Sequence, residues 1–419
     1  MKICLTILSF LVSLTLIAQE TYRTQIYEPK IKTLQIGVNG ETLGLPIIEL
    51  NSSNVLLISF DEMSHESHFY SYEVLHCDAD WTISKQLNSG EYLTGFTSGS
   101  ITDYTTSLNT TFLYTHYKFM LPNDEMGFKI SGNYVVLIYE DNQKDKPIAQ
   151  ACFSIVDPQV SITTTVRGNT DTELNGRLQQ LDFEVNLNGY SVRDPQSEIK
   201  VVVRQNNRID NEVTDIKPTF MSGSRLSYIN NKALIFDGGN EYHRFDISSV
   251  YAAGVGVATI RFDQSGSGSG YNAYLYDDKI QRSKSYVYDQ DVNGRFVINM
   301  QNASDDAVEA DYMYVHFSLP TPQPFFDGLL YLGGEFNYNL LNNASVMKYD
   351  VNNGKYFQTV LLKQGGYNYQ YWFVPKGEKK ASAERVDGSY WQTVNEYTIY
   401  IYHRPWGERY DKLIGVKDI

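Results

Sequence analysis

The chain has 419 residues, among them 33 Tyr, 20 Phe and 12 Pro, and a formal net charge of −14 at pH 7. An acidic balance of this size argues against a nucleic-acid binder or a protein of anionic lipid surfaces, since neutralising phosphate requires a basic face. The acidic residues are dispersed instead of forming a tail and read as a solvated surface, while the length suggests two to four domains at roughly 100 to 200 residues each.

The opening "MKICLTILSFLVSLTLIAQE" has a short positive start at Lys2, an apolar run from Leu5 to Ile17 and a small residue at Ala18. Residues 1–19 are therefore expected to be a cleaved secretory signal. A membrane anchor needs about 18 to 20 apolar residues; this run is shorter and is interrupted by Thr6, Ser9 and Ser13. Cys4 precedes the apolar run, so a lipid anchor is not expected. Nothing later reaches spanning length, and the mature chain is expected to be exported without inserting into the membrane.

Short alternating runs then recur: "NVLLISF" (Asn54 to Phe60), "YSYEVLH" (Tyr70 to His76), "GNYVVLIYE" (Gly132 to Glu140), "LDFEVNL" (Leu181 to Leu187), "IKVVVRQ" (Ile199 to Gln205), "YMYVHFSL" (Tyr312 to Leu319), "YQYWFV" (Tyr369 to Val374) and "YTIYIYH" (Tyr397 to His403). Period-two alternation bounded by Asn, Gly, Asp and Ser is the strand signature. No window shows an apolar helical stripe, and "PKGEKKASAERVDG" (Pro375 to Gly388) reads as a long hairpin loop because it has no apolar face to bury. The pattern predicts an all-β protein of tandem antiparallel, immunoglobulin-like β-sandwich domains. Boundaries are expected at "VDPQV" (Val156 to Val160) and at "LPTPQPFFDG" (Leu319 to Gly328), whose prolines cannot donate to a ladder. This gives an N-terminal domain over 20–156, a middle domain over 157–319 and a C-terminal domain over 320–419. "SGSGSG" (Ser265 to Gly270) reads as a flexible hairpin loop, since no helix follows to make it a phosphate cradle.

Few stretches carry residues suited to chemistry. "LHCDADW" (Leu75 to Trp81) gathers His76, Cys77, Asp78 and Asp80. On a strand, however, His76, Asp78 and Asp80 point to one side and Cys77 and Trp81 to the other, so no compact His–Cys pair forms. The reading is a strand with Cys77 inward, Trp81 anchoring a turn, and both carboxylates facing water or capping amides. The other histidines, His65, His68, His116, His243, His316 and His403, are scattered singly, which does not suit a zinc site. With Cys4 removed, Cys77 and Cys152 remain; one disulfide between them and two buried thiols are both open.

"YDQDVNGRFVINM" from Tyr288 places Asp289, Asp291 and Asn293 at positions 1, 3 and 5 of a calcium-type loop, with Gly294 at 6. Position 12 is Met300 instead of a bidentate acid, so a hairpin turn is the simpler reading and calcium the weaker one. "YDVNNGKY" (Tyr349 to Tyr356) has the same turn chemistry. Neither a Gly-x-Ser-x-Gly elbow nor a His-Glu-x-x-His motif occurs, and no catalytic residue is assigned. The alternating aromatics of "YNYQYWFVP" (Tyr367 to Pro375) leave a second functional reading, a periplasmic glycan-binding protein using Trp372 or Trp391, although sandwich cores also consume Tyr and Trp. A hydrolase built on Asp78, Asp80 or another carboxylate pair is a third.

Taken together, "LHCDADW", "EYLTGF" (Glu91 to Phe96), "YTHYKFMLPN" (Tyr114 to Asn123), "SGNYVVLIY" (Ser131 to Tyr139), "VRQNNRIDN" (Val203 to Asn211), "GGNEYHRFDI" (Gly238 to Ile247), "YDQDVNGRF" and "EADYMYVHFSL" (Glu309 to Leu319) occur in this order. As a set they resemble the plug protein family of the Bacteroidetes type IX secretion system, over nearly the whole mature chain. The resemblance implies a periplasmic protein that docks on the periplasmic side of the outer-membrane barrel translocon and closes it sterically. It implies no cofactor and no catalytic residue, and leaves the partner-binding face unknown.

Overall fold

The structure is a computed structural model that describes residues 21–66, 68–141, 143–264, 269–282 and 284–419. The expected signal at 1–19 and the centre of the "SGSGSG" loop, 265–268, lie outside the described residues.

The N-terminal unit is a sandwich. In one sheet Tyr70–Cys77 pairs with Gly132–Glu140, which pairs in turn with Pro147–Val156, all antiparallel. The facing sheet runs Ile31–Val38, Leu56–Glu62, Thr115–Leu121 and Asp103–Thr106. Alternation fills the space between: Tyr70, Tyr72, Val74, Tyr134, Val136 and Phe153 from the first sheet meet Leu56, Ile58, Phe60 and Tyr117 from the second. Phe60 stacks on Tyr117 at 5.2 Å, and Tyr134 on Phe153 at 5.5 Å. Burying each such side chain stabilises the fold by roughly 1.5–3 kcal/mol. The tyrosine-rich composition is thus largely core.

The middle unit is a second sandwich, assembled from both ends of the remaining chain. Ser161–Arg167, Leu178–Asn186, Arg225–Tyr228 and Phe220–Ser222 form one sheet, with Ile235–Asp237 beside Leu178–Asn186. The other is Ile199–Gln205, Tyr397–His403 and Lys412–Asp418. Leu181, Phe183, Val201, Val203, Ile399 and Ile401 form their common core. Between Asp237 and the last two strands an entire third sandwich is inserted. One of its sheets is Val257–Asp263, Gly270–Leu275, Tyr312–Pro320, Lys355–Lys363 and Lys348–Asp350. The other gathers His243–Asp246, Phe296–Ile298 and Gly328–Gly333 around Gly365–Pro375. Pairing is antiparallel except at Ile47–Glu49 against Ser154–Val156 and Gly270–Leu275 against Tyr312–Pro320.

The all-β sandwich expectation holds, but the boundary expected near 320 does not. Tyr312–Pro320 pairs with Lys355–Lys363 along its whole length, and the core from Phe245 to Val386 runs across position 320. The physical reason lies in what proline marks. A proline run indicates backbone without a ladder; here it carries the chain from the sheet of Tyr312–Pro320 to the opposite sheet at Gly328–Gly333 within one unit. The segment after 388 returns to the middle sandwich instead of belonging to a C-terminal domain. At the other boundary the Asp157 amide donates to Leu413 O (2.9 Å), which leads the chain directly onto the middle unit.

Candidate functional site: the joints between the units

The stretch Leu75–Trp81 lies at the joint between the N-terminal and middle units. Alternation at the end of Tyr70–Cys77 turns His76 toward Tyr134 and Tyr410, with ring centroids 4.9 and 5.3 Å away, and Cys77 to the opposite face with Val135 and Trp81. A tight turn follows: the Trp81 amide donates to Asp78 O (2.9 Å), and Trp81 adopts φ 63°. Asp80 Oδ1 accepts from the Thr82 amide (3.0 Å) and hydroxyl (2.7 Å), so it caps the turn. Ser84 Oγ donates to Asp78 Oδ1 (2.7 Å) and lies 2.9 Å from His76 Nδ1. With its one proton committed to the carboxylate, the Ser84 hydroxyl oxygen accepts a hydrogen bond from His76 Nδ1–H. Burial pushes His76 down to about 4, so its ring is neutral.

Across this joint stands Asp411 of the middle unit, fully buried. Its Oδ2 accepts from the Ala79 amide (3.0 Å) and from Lys200 Nζ (3.0 Å). Arg404 sits 2.7 Å from Asp78 and 2.9 Å from Asp411. The guanidinium angles are poor for hydrogen bonds, so this attraction is one of charges. Tyr402 donates its hydroxyl proton to Asn133 Oδ1 (3.0 Å), and Asn133 Nδ2 donates to Asp78 O (3.1 Å). Arg204, paired to Glu212 at 2.6 Å, covers Trp81 and Tyr400.

A second joint ties the N-terminal unit to the inserted one through Asp61 and Lys363, which are 1 % and 2 % exposed. Asp61 Oδ2 accepts from Lys363 Nζ (2.6 Å) and the Tyr312 hydroxyl (2.7 Å), and Oδ1 pairs with His116 Nδ1 (2.7 Å). Burial pushes the Asp61 carboxyl upward, but Lys363 and His116 outweigh it and hold it below the usual carboxylate range. Burial pushes the Lys363 ammonium down. A third joint links the inserted and middle units by a two-pronged contact from Arg295 to Glu396, both at 2.5 Å. Of these joint-forming acids and bases, Asp78 and the histidines His76 and His116 were singled out from the sequence, but none of the others. Asp61 and Lys363 each follow an apolar strand run, "LLISF" and "TVLL", and an ionisable residue there is the signal that points to a buried pair.

Other sequence-predicted residues fall elsewhere. Val135 pairs with both Leu75 and Cys152, and Asn133 with both Cys77 and Ser154. The two cysteines are therefore two strands and two residues apart, with Cα atoms about 12 Å from each other by standard sheet spacing, where a disulfide requires at most ~7 Å. They are free and buried, which overturns the disulfide option. Burial pushes the Cys152 thiol up to about 12. In the calcium-type loop, Asp289 faces Arg244 (3.0 Å), while Asp291 accepts from the amides of Tyr242 and Asn293. Asn293 and Gly294 take φ 52° and 89°, and the loop is a turn whose acids are directed at protein groups. Among the described residues no three His, Cys, Asp or Glu side chains are grouped to hold a metal ion. Each remaining histidine has a local partner, including Ser107 for His65, Glu62 for His68 and Asp387 for His243. Trp372 is buried beneath the Arg208 guanidinium at 4.2 Å, and the Trp391 ring packs on Gly168 so closely that a Cβ there would meet it at 2.5 Å. Trp372 is a packing element, whereas Trp391 is half-buried, so burial takes Trp372 but not Trp391 out of the glycan-binding reading.

The hairpin joining Tyr397–His403 to Lys412–Asp418 carries Trp406 at 89 % exposure. Its base is fixed by Arg404 and by Arg409, which pairs with Glu91 and donates to Gln86 O (3.0 Å). A large aromatic side chain is thus presented from a braced loop.

A family model described as "Type 9 secretion system plug protein 1st domain" matches residues 31–157, the N-terminal sandwich. A crystal structure of a hypothetical protein from Parabacteroides merdae ATCC 43184 is 42% identical, covers 96% of this chain and 100% of that one, and superposes with a TM-score of 0.93. No curated protein matches. Among the described residues no helix is long and apolar enough to cross a membrane. The ordered motifs, the tandem sandwiches and the matched first domain lead to one assignment: the chain belongs to the type IX secretion system plug protein family and is tied to that secretion system.

Proposed function

We propose that the protein resides in the periplasm, docks on the periplasmic opening of the outer-membrane barrel translocon of the type IX secretion system, and closes it when no substrate is in transit. The observation that carries this reading is the plug first-domain match at 31–157. The action is steric and uses no catalytic residue. A plug must resist deformation, and three sandwiches tied to one another by ion pairs across their joints supply such a body. Docking would bury roughly 1,200–2,000 Å² or more around aromatic anchors, and Trp406 on its braced hairpin is the anchor we favour.

Affinity purification from native outer membranes tests the reading. The tagged protein is expected to retain the barrel, and its deletion to admit a large antibiotic in a strain whose other barrel outlet is open. A Trp406→Ala variant that folds normally should retain at least tenfold less barrel, as expected of an interface hot spot. Unchanged leakage on deletion together with no retained barrel overturns the proposal.

A further inference from the structure

Where the three units meet there is a cavity of about 140 Å³. Tyr22 and Trp81 of the N-terminal unit, Tyr400 of the middle unit, and Phe296 and Tyr338 of the inserted unit give it aromatic walls. Polar groups also face it. Asn339, 7 % exposed, keeps its Oδ1 without a hydrogen-bond partner. A buried acceptor left in that state costs about 1–3 kcal/mol. Arg23 donates to Tyr22 O (2.9 Å), and among the described residues no carboxylate lies within ion-pair distance of it. The neighbouring Arg204 adds positive potential, although Glu212 offsets its charge. Glu335 is the one acid on the wall; its Oε1 accepts from Asn207 Nδ2 (3.1 Å) and lies 3.9 Å from Arg295, and burial outweighs both and holds its carboxyl above the usual carboxylate range. Trp81, Tyr338 and Asn339 take φ of 63°, 59° and 55°. Left-handed backbone costs of order 1–3 kcal/mol in bulky residues such as Trp81 and Tyr338 and concentrates at ligand sites, whereas Asn339 adopts it readily.

We propose that this cavity binds a small aromatic carboxylate, with its ring among the aromatic walls, its anionic end on Arg23, and a hydroxyl substituent donating to Asn339 Oδ1. The size fits: an apolar cavity of roughly 150 Å³ accommodates benzene, so one ring with one or two substituents is the limit. A molecule seated there touches all three units, which couples its binding to their packing. The site stands independently of whether the body docks on a barrel.

Calorimetric titration of the chain over residues 20–419 with 4-hydroxybenzoate, benzoate and benzylamine tests the proposal. Both carboxylates are expected to bind saturably, 4-hydroxybenzoate about fivefold more tightly because of one added hydrogen bond, with no binding of benzylamine. Arg23→Gln should weaken both carboxylates at least tenfold. Asn339→Gly, which keeps the left-handed backbone, should erase the preference for 4-hydroxybenzoate while leaving benzoate affinity in place. This second variant decides the matter if Arg23→Gln disturbs folding. No saturation by either carboxylate up to about 5 mM, benzylamine binding as well as benzoate, or a hydroxyl preference that survives Asn339→Gly overturns the proposal.

Discussion

The two joints of the N-terminal unit solve one problem in different ways. Toward the inserted unit, Asp61 and Lys363 meet in a site closed to water, with Tyr312 and His116 completing the carboxylate's shell. Toward the middle unit, the ion pair that crosses is Asp78 with Arg404, whose side chains are 18 % and 30 % exposed, while Asp411, buried just as deeply as Asp61, meets the part-exposed Arg404 and Lys200 of its own unit. Coulomb attraction is strong in the first setting and screened in the second, and so is the penalty for losing a partner. The first joint should behave as a lock that fails outright when broken, the second as a network that loosens by degrees.

The largest effect is therefore expected from Lys363→Met. It takes the buried lysine from Asp61 and leaves the carboxylate with His116 and the Tyr312 hydroxyl, which should cost about 3–5 kcal/mol, read as a fall in the urea midpoint. Adding Asp61→Leu should recover most of that loss, because an apolar pair of similar volume can replace a buried ion pair. A cost below about 1 kcal/mol for the single variant would show that the joint is wet after all and end the contrast.

Proton titration sharpens the contrast next. His76 lies behind the middle joint, bonded through Ser84 to Asp78, and burial holds it near 4 against an ordinary value of 6.5. An unfolded chain takes up this proton below pH 6.5 while the folded one refuses it. The folded state should then lose stability from pH 6.5 down to about 4, by roughly 3 kcal/mol over that window. His243 in the inserted unit has the opposite sign. Burial works against its charge, but Asp387 at 2.8 Å and Asp278 at 3.4 Å prevail and raise it to about 9. Its contribution is complete below pH 6.5 and fades as pH rises toward 9. Comparing wild type with His76→Gln and His243→Gln across pH 4–9 isolates each slope; equal slopes in wild type and His76→Gln below pH 6.5 would refute the acid assignment.

A smaller effect is expected for Asp411→Asn. The amide oxygen can still accept from the Ala79 amide, and Arg404 and Lys200 can turn to water, so the cost should be about 1–2 kcal/mol. Hydrogen exchange should localise it to Asp78–Ser84 and the Arg404–Lys412 hairpin. A cost equal to that of Lys363→Met would mean that the two joints do not differ in kind.

Strand identity was legible because the period-two pattern of "NVLLISF", "YSYEVLH" and "YTIYIYH" is local, and a half-buried strand needs nothing more. The splitting of His76 from Cys77 followed from the same alternation. Partner choice was not legible. Nothing in "YTIYIYH" states that its partner is Ile199–Gln205 from much earlier in the chain, so the insertion of a whole sandwich, and with it the true division of units, stayed hidden. The joints were partly legible. Asp78 stood out in a polar cluster, whereas Asp61 and Lys363 read as ends of apolar runs until their burial was known. Charge at an inward strand position becomes informative only with a counter-charge, and that lies in another unit.

The smallest effect concerns the thiols packed beneath the middle joint. Cys77 and Cys152 share a face with Trp81 and Val135 but are separated by the strand Gly132–Glu140, to which both of their strands are paired. A bridge would need that middle strand to be expelled, with loss of two full ladders and the Tyr134 and Val136 core contacts. Reducing agent should therefore leave the urea midpoint of a chain comprising residues 20–419 unchanged to within about 0.5 kcal/mol, and both thiols should react with a maleimide once the chain is denatured without reductant. Their reaction in the native state should be slow, because burial keeps them as thiols. It should quicken in Asp411→Asn if the middle joint opens by degrees. A loss of about 2 kcal/mol or more on reduction, the range typical of a structural disulfide, would require a different pairing of these three strands.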